Sequence, residues 1–230
     1  MQAGLVRTTD PSIIFRDMVA VEEAAGPDGT LVYVVGGGAA SGKSWLTKEM
    51  LTRLVAKYGV NAVALLKLDY FLPGMALEPG DNWDGYLWER YAATLAAIRQ
   101  GLGVIVPEIE WESGRILREL IFPVGLRIVL AEGVGTFRDD LDTHYDAGYW
   151  VDCPHGERLR RGIARSYATP RDADNPDAGN YGAEHEEYWP TWIEKDRRYQ
   201  VAHDVPNGRG IVRLVFDNSH KVAAQDLVPQ

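Results

Sequence analysis

Eight consecutive residues, Gly37-Gly38-Ala39-Ala40-Ser41-Gly42-Lys43-Ser44, fit the spacing G-x-x-x-x-G-K-[ST]. Glycines in this arrangement let the backbone curl until successive N–H groups face inward, and such a concavity binds phosphate oxygens. A helix starting at its end would add the partial positive charge of its N-terminus. Lys43 would then reach the β- and γ-phosphates, Ser44 would offer its hydroxyl to Mg²⁺, and Trp45 would border the same nucleotide. The chemistry implied is the binding of ATP with Mg²⁺. The plainer alternative is a glycine-rich turn that serves packing alone, so the match has to be judged by its flanks.

A strand and a helix are what the flanks supply. Leu31 to Val35 is a continuous apolar run of the kind a strand buried on both faces requires. From Ser44 onward Leu46, Met50, Leu51, Leu54 and Tyr58 mark one side of a helix that stops near Gly59. Ala62 to Leu68 reads as the next buried strand. The alternation continues with a helix at Tyr91 to Gln100 and strands at Val104 to Val106, Arg127 to Ala131 and Tyr149 to Val151. This predicts an α/β fold of the P-loop NTPase class, a parallel sheet with helices on both faces. Earlier, Ile13, Ile14, Met18 and Val21 follow Asp10-Pro11-Ser12 as a short amphipathic helix. Later, Glu157 to Tyr167 is helical and basic, and Ala168 to Gly182 is rich in Pro, Asp, Asn and Gly and is expected to be a mobile loop. A helix over Glu184 to Val201 and a strand at Ile211 to Phe216 complete the chain.

Composition bounds the partners. At 230 residues one domain over 1–230 is expected, given roughly 100–200 residues per domain. A net charge of −9 argues against nucleic acid, whose phosphates need a basic face. The single cysteine, Cys153, excludes an intrachain disulfide and a Cys-based zinc site. No stretch approaches the apolar length of a membrane span, and Met1 to Asp10 lacks the pattern of a leader. A cytoplasmic protein with no membrane partner is therefore expected, and assembly into a homo-oligomer is left open.

Asp69 follows the second strand. There it would accept the proton of an attacking hydroxyl, or simply form a turn. Glu132 closes an apolar run and would hold Mg²⁺, or face solvent as a loop carboxylate. Asp84 would contact a ligand or cap the following helix. Arg161 and Arg165, four apart, would share a helix face and stabilise a migrating phosphoryl group, or form a solvated basic surface.

In order along the chain, several of these segments resemble the superfamily of uridine kinases, nicotinamide riboside kinases, phosphoribulokinases and pantothenate kinases. Gly37 to Ser44 resembles its G-x-S-x-S-G-K-[ST] loop, and Asp69-Tyr70-Phe71 its D-x-F segment, whose aspartate is the catalytic base. Asn82-Trp83-Asp84 resembles its N-[FYW]-D, whose aspartate holds ribose hydroxyls. Val106-Pro107-Glu108-Ile109-Glu110-Trp111 with Gly114-Arg115 resembles the acceptor segment and its trailing arginine. Leu130-Ala131-Glu132-Gly133 is similar to the strand end whose glutamate organises Mg²⁺, and Leu214 to Asn218 to the closing strand. Arg158 to Arg165 resembles the helix leading into the ATP lid, continued by Arg171-Asp172, which puts the lid at about residues 160–182.

The resemblance implies a small-metabolite kinase acting on a nucleoside or ribose-like alcohol. Asp69 would be base and metal neighbour, Lys43, Arg161 and Arg165 the stabilising cations, and Ser44, Asp69 and Glu132 the metal site. Tyr70, Phe71, Asp84, Glu110 and Arg115 would join Asp69 around the acceptor. There are departures. Ile109 replaces a tyrosine, Glu112-Ser113-Gly114 lacks a base-reading histidine, and Gly162 and Ser166 replace an arginine and an aspartate of the lid helix. A non-nucleoside acceptor, such as a secondary metabolite or antibiotic, therefore remains an alternative. So does a nucleotide-dependent switch or ATPase that engages a protein partner.

Overall fold

A computed structural model describes residues 5–72, 83–109, 115–167 and 186–219. Among these residues eight strands run as β1 (Val6–Thr8), β2 (Leu31–Gly37), β3 (Val63–Lys67), β4 (Val104–Ile109), β5 (Ile116–Phe122), β6 (Ile128–Gly133), β7 (Ala147–Asp152) and β8 (Val212–Asp217). Between them lie α1 (Pro11–Ala25), α2 (Lys43–Tyr58), α3 (Trp88–Arg99), α4 (His155–Ser166) and α5 (Trp189–Ala202). Six strands form one sheet in the order β1-β8-β7-β2-β6-β3, every pair parallel. Its central strand β2 is buried along its whole length, as its apolar composition demands.

The two-residue period of β2 sorts its side chains between two cores. Leu31, Tyr33 and Val35 meet α1 and α2 through Ile14, Met18, Leu46, Met50 and Leu54. Val32 and Val34 belong to the opposite core, with Tyr91, Leu95 and Ile98 of α3 and Tyr199 of α5. Helix α1 begins where Asp10 accepts a 2.9 Å hydrogen bond from the Ser12 amide and Pro11 supplies a fixed φ.

The sheet departs from the sequence expectation at Val104 to Val106. This segment is not in the parallel sheet. It belongs to β4, which pairs antiparallel with β5 in a separate hairpin. A strand inside a parallel sheet is covered on both faces. In β4, by contrast, Val106 is buried while Ile105 is 59% exposed, directly opposite Ile121, which is 74% exposed. The C-terminal helix starts at Trp189, with Pro190 in its first turn. Residues 168–182 of the expected lid, and the start of that helix at residues 184–185, lie outside the described residues.

Phe137 joins the sheet to what covers it. It is fully buried, and a Cβ on either Gly36 or Gly148 would stand 2.5 Å from its ring, so the ring lies flat on bare backbone of two neighbouring strands. Trp150 meets it edge-on at 5.9 Å. Phe137→Ala is expected to cost about 3–5 kcal/mol through lost transfer energy and an unfilled cavity. The measurement is urea denaturation, in which the midpoint falls while the slope stays unchanged.

Candidate active site

The carboxyl ends of β2, β6 and β3 lie side by side, because β6 pairs with both neighbours and sets Glu132 across from Val35 on one side and Lys67 on the other. Open parallel sheets bind ligands at such ends. The loop after β2 turns directly into α2, which starts at Lys43 behind Gly42 in the left-handed region, φ 95°. A side chain on Gly42 would also collide with the Asn218 amide, 2.1 Å from its Cβ. The amides of Lys43 and Ser44 open the helix and so have no acceptor within it, which leaves them free for an anion.

Ser44 donates a 2.6 Å hydrogen bond to Glu132 Oε1. Glu132 is buried, and desolvation pushes its carboxyl above the usual glutamate range. Lys43 and the Ser44 hydroxyl pull it back, and the charge of Asp69 pushes it up again. The four residues therefore share one electrostatic neighbourhood. A serine hydroxyl and two carboxylates are the hard oxygen donors that Mg²⁺ takes, so Ser44, Glu132 and Asp69 fit such an ion.

Asp69 is exposed in a short 3-10 turn, Leu68–Phe71, that continues straight from β3. Tyr86 donates a hydrogen bond to it at 3.2 Å. Tyr70 is half-buried, and burial together with the charges of Glu108 and Asp69 raises its hydroxyl pKa, keeping it neutral. Glu108, bonded to Arg118 across the hairpin, thus stands close to the same cleft. Asp84 is exposed, bridges to Arg138 at 3.4 Å, and does not cap α3, whose first flanking residue is Leu87. Arg138 in turn lies 4.7 Å over the Trp88 ring. Arg115 is exposed at the start of β5, on the hairpin, and Trp45 is half-exposed and stacks on Phe216 at 6.0 Å. Glu110 lies outside the described residues.

Two expectations need correction. Phe71, expected among the acceptor contacts, is fully buried and packs edge-on against Tyr91 at 5.1 Å. The tight 3-10 turn sends its ring into the core while Asp69 faces out. Arg161, expected to face the migrating phosphoryl, is buried and points its guanidinium at Glu157 and at the carbonyls of Ser41 and Asn218. Arg165, one turn further along the same helix, is exposed. The inward side of α4 is Arg158, Arg161, Gly162 and Ser166, because α5 covers it. Gly162 leaves room for the Trp189 indole, whose ring atoms would stand 2.2 Å from a Cβ there, and Ser166 accepts the Trp189 N–H at 2.9 Å. The two departures from the lid pattern thus serve the packing of α4 on α5.

Sequence reasoning missed Asp196, Tyr86, Lys67 and Arg138. A signal for Asp196 existed, since Trp189, Ile193, Asp196 and Tyr199 form the buried stripe of α5. A carboxylate in an apolar stripe must find a partner. The partner is Arg158, whose Nη1 lies 2.6 Å from Asp196 Oδ2, and the same oxygen accepts the Ala39 amide at 2.6 Å.

No family model and no curated protein sequence matches this chain. Solved structures do match in shape. A protein of Silicibacter sp. TM1040, provisionally described as a fructose transport system kinase, superposes with a TM-score of 0.67 at 16% identity, over 90% of this chain and 99% of that one. D-glycerate 3-kinase of Cryptococcus neoformans gives 0.62 at 12% identity, over 90% and 93%. A protein of Bacillus stearothermophilus, provisionally described as a uridine kinase, gives 0.56 at 15%, over 90% and 97%. Among the described residues no helix is long and apolar enough to cross a membrane. With a parallel six-stranded sheet, a glycine-rich loop opening α2, and these neighbours, the chain has the fold of the P-loop kinases.

Proposed function

We propose that this protein is a cytoplasmic kinase that transfers the γ-phosphoryl group of ATP to a hydroxyl of a small metabolite, favouring a nucleoside or ribose-like alcohol. The observation that carries the reading is the convergence of Lys43, Ser44, Glu132 and Asp69 at adjacent strand ends, with the Ser44–Glu132 pair at its centre. A bare nucleotide-binding loop would need no exposed carboxylate beside it. Asp69 supplies one on the side of the aromatic residues Tyr70, Tyr86 and Trp88. The named structural neighbours include kinases of alcohol-bearing metabolites, which accords with this reading.

In the reaction the acceptor oxygen forms a bond to the γ-phosphorus as the bond to the β–γ bridging oxygen breaks, and ADP departs with that electron pair. Asp69 receives the hydroxyl proton. Lys43 and the first amides of α2 stabilise the charge that builds on the transferring group. Ser44, Glu132 and Asp69 are the residues that would hold Mg²⁺, whose chemistry there would be neutralisation of phosphate charge. The protein contributes mostly position and charge, as phosphoryl transfer requires. A non-nucleoside acceptor is the second reading, favoured by Ile109, a half-buried aliphatic residue on the hairpin beside Glu108.

The experiment is a panel of nucleosides, sugars and small hydroxy compounds incubated with Mg·ATP and read by mass spectrometry for a phosphorylated product. Asp69→Asn is expected to lower kcat by about 10²–10⁴-fold while ATP affinity is largely retained. Full activity in that variant removes the aspartate from the mechanism, and ATP hydrolysis with no phosphorylated alcohol favours a switch or ATPase.

Glu132→Gln keeps the acceptor for Ser44 and removes a buried charge. Because burial raises this carboxyl's pKa in the folded state, the stability it allows is full below the ordinary glutamate value and declines as pH rises through the raised one. Without nucleotide, the variant should therefore melt no lower than wild type at neutral pH, with its relative advantage shrinking toward acid. The Mg²⁺ dependence of ATP binding should weaken by about tenfold or more, followed by titration with and without the ion.

A further inference from the structure

The loop that would hold the phosphates contains a residue that resists its own conformation. Ala40 has φ 58°, in the left-handed region that a residue with a Cβ rarely occupies, and such residues persist only where the surroundings impose them. On either side of Ala40 the backbone is gripped. The Ala39 amide donates to Asp196 Oδ2 at 2.6 Å, and the Ala39 carbonyl accepts from Arg158 Nη1 at 3.4 Å. The same Nη1 and Oδ2 face each other at 2.6 Å, so one ion pair grips the two peptide units that flank the Ala39 α-carbon. Beyond Ala40, the Ser41 carbonyl accepts from Asn218 Nδ2 at 2.7 Å and from Arg161 Nη1 at 3.4 Å.

Arg158 and Asp196 are almost wholly withdrawn from water, with side chains 1% and 2% exposed. A buried ion pair is a poor source of stability, since the desolvation of both charges offsets their attraction. Yet among the described residues the side-chain hydrogen bonds this pair makes beyond itself go to Ala39 of the phosphate loop, and Gly38 is bare so that the guanidinium can reach it. Two cores already hold the fold together without it. What the pair does supply is a fixed direction for the peptide before Ala40, and hence for the amides that follow.

We propose that Arg158 and Asp196 are positioning residues: a two-helix clamp, one residue from α4 and one from α5, that shapes the phosphate loop for the nucleotide without touching it. The inference rests on the nucleotide-binding part of the function proposed above. It assigns a role to Asp196, in which the Ala39 amide is held by protein and the phosphate is left to the amides further along the loop. It also gives Arg158 and Arg161 a common task on the loop's backbone rather than on the transferring group.

The test separates shaping from stability. Arg158→Met/Asp196→Leu replaces the pair by apolar side chains of similar volume, a change that is often neutral or stabilising for folding. The full-length double variant is expected to fold, while its Kd for Mg·ATP, by isothermal titration, rises about tenfold or more, the worth of a backbone hydrogen bond or more. Unchanged affinity overturns the proposal, whether or not the melting temperature moves, because the pair is then only a fold element. If the double variant does not fold, Asp196→Asn is titrated instead, with the same two outcomes. A wild-type protein that takes up no Mg·ATP ends the nucleotide reading and the clamp together. One that binds Mg·ATP but phosphorylates no alcohol ends the kinase reading alone, and the clamp stands or falls on the titration.

Discussion

A Cβ on Gly38 would stand 1.6 Å from a guanidinium nitrogen of Arg158, so the backbone of the phosphate loop and the charge beneath it touch with nothing between them. That close approach conditions the rest of the site. It lets an ion pair from two helices reach a peptide unit of the loop, and it lets the loop turn within a few residues from β2 into α2. The first-turn amides of α2 then point outward over the sheet, where Ser44 meets Glu132. A bulkier loop would lift α2 from the strand ends and separate the hydroxyl from its carboxylate.

Burial gives the polar residues around this loop distinct tasks. Glu132 is desolvated among Lys43, Lys67 and Asp69, so its charge state answers to every cation brought near it. Asp69 stays exposed and linked to Tyr86, which suits a group that must meet a substrate. Tyr70 and Glu108 join it from the turn and the hairpin, so in the proposed function the acceptor would be met from outside the main sheet. The proposed nucleotide side is thus built from sheet ends and helix starts. The proposed acceptor side is built from a turn, a hairpin and aromatic rings, where changes of sequence would alter specificity without disturbing the loop.

Much of this was legible in the residues. The phosphate loop could be read because its chemistry resides in contiguous backbone, and the inner strands because burial on two faces leaves unbroken apolar runs such as Leu31 to Val35. Ile116 to Phe122 escaped detection because a hairpin strand beside the sheet keeps one side wet and carries Arg118 and Glu119 among its apolar residues. The three residues of β1 escaped because their partner, β8, lies some two hundred positions away along the chain. The arginines of α4 show the sharper limit. Spacing places Arg158, Arg161 and Arg165 on one side of a helix, but only the docking of α5 decides that Arg158 and Arg161 are buried while Arg165, one turn on, stays exposed. Asp196 was visible as an acid in an apolar stripe, though not as the holder of the Ala39 amide.

The contact between Gly162 and Trp189 bears on how such a chain diverges. An indole occupies the volume that any side chain at position 162 would need, so the two positions are not free to change independently. A lineage leaving this state must first shrink the tryptophan and only then enlarge the glycine, and one entering it must travel the opposite way. Substitution at these sites is therefore ordered in time, and the two residues should be inherited together.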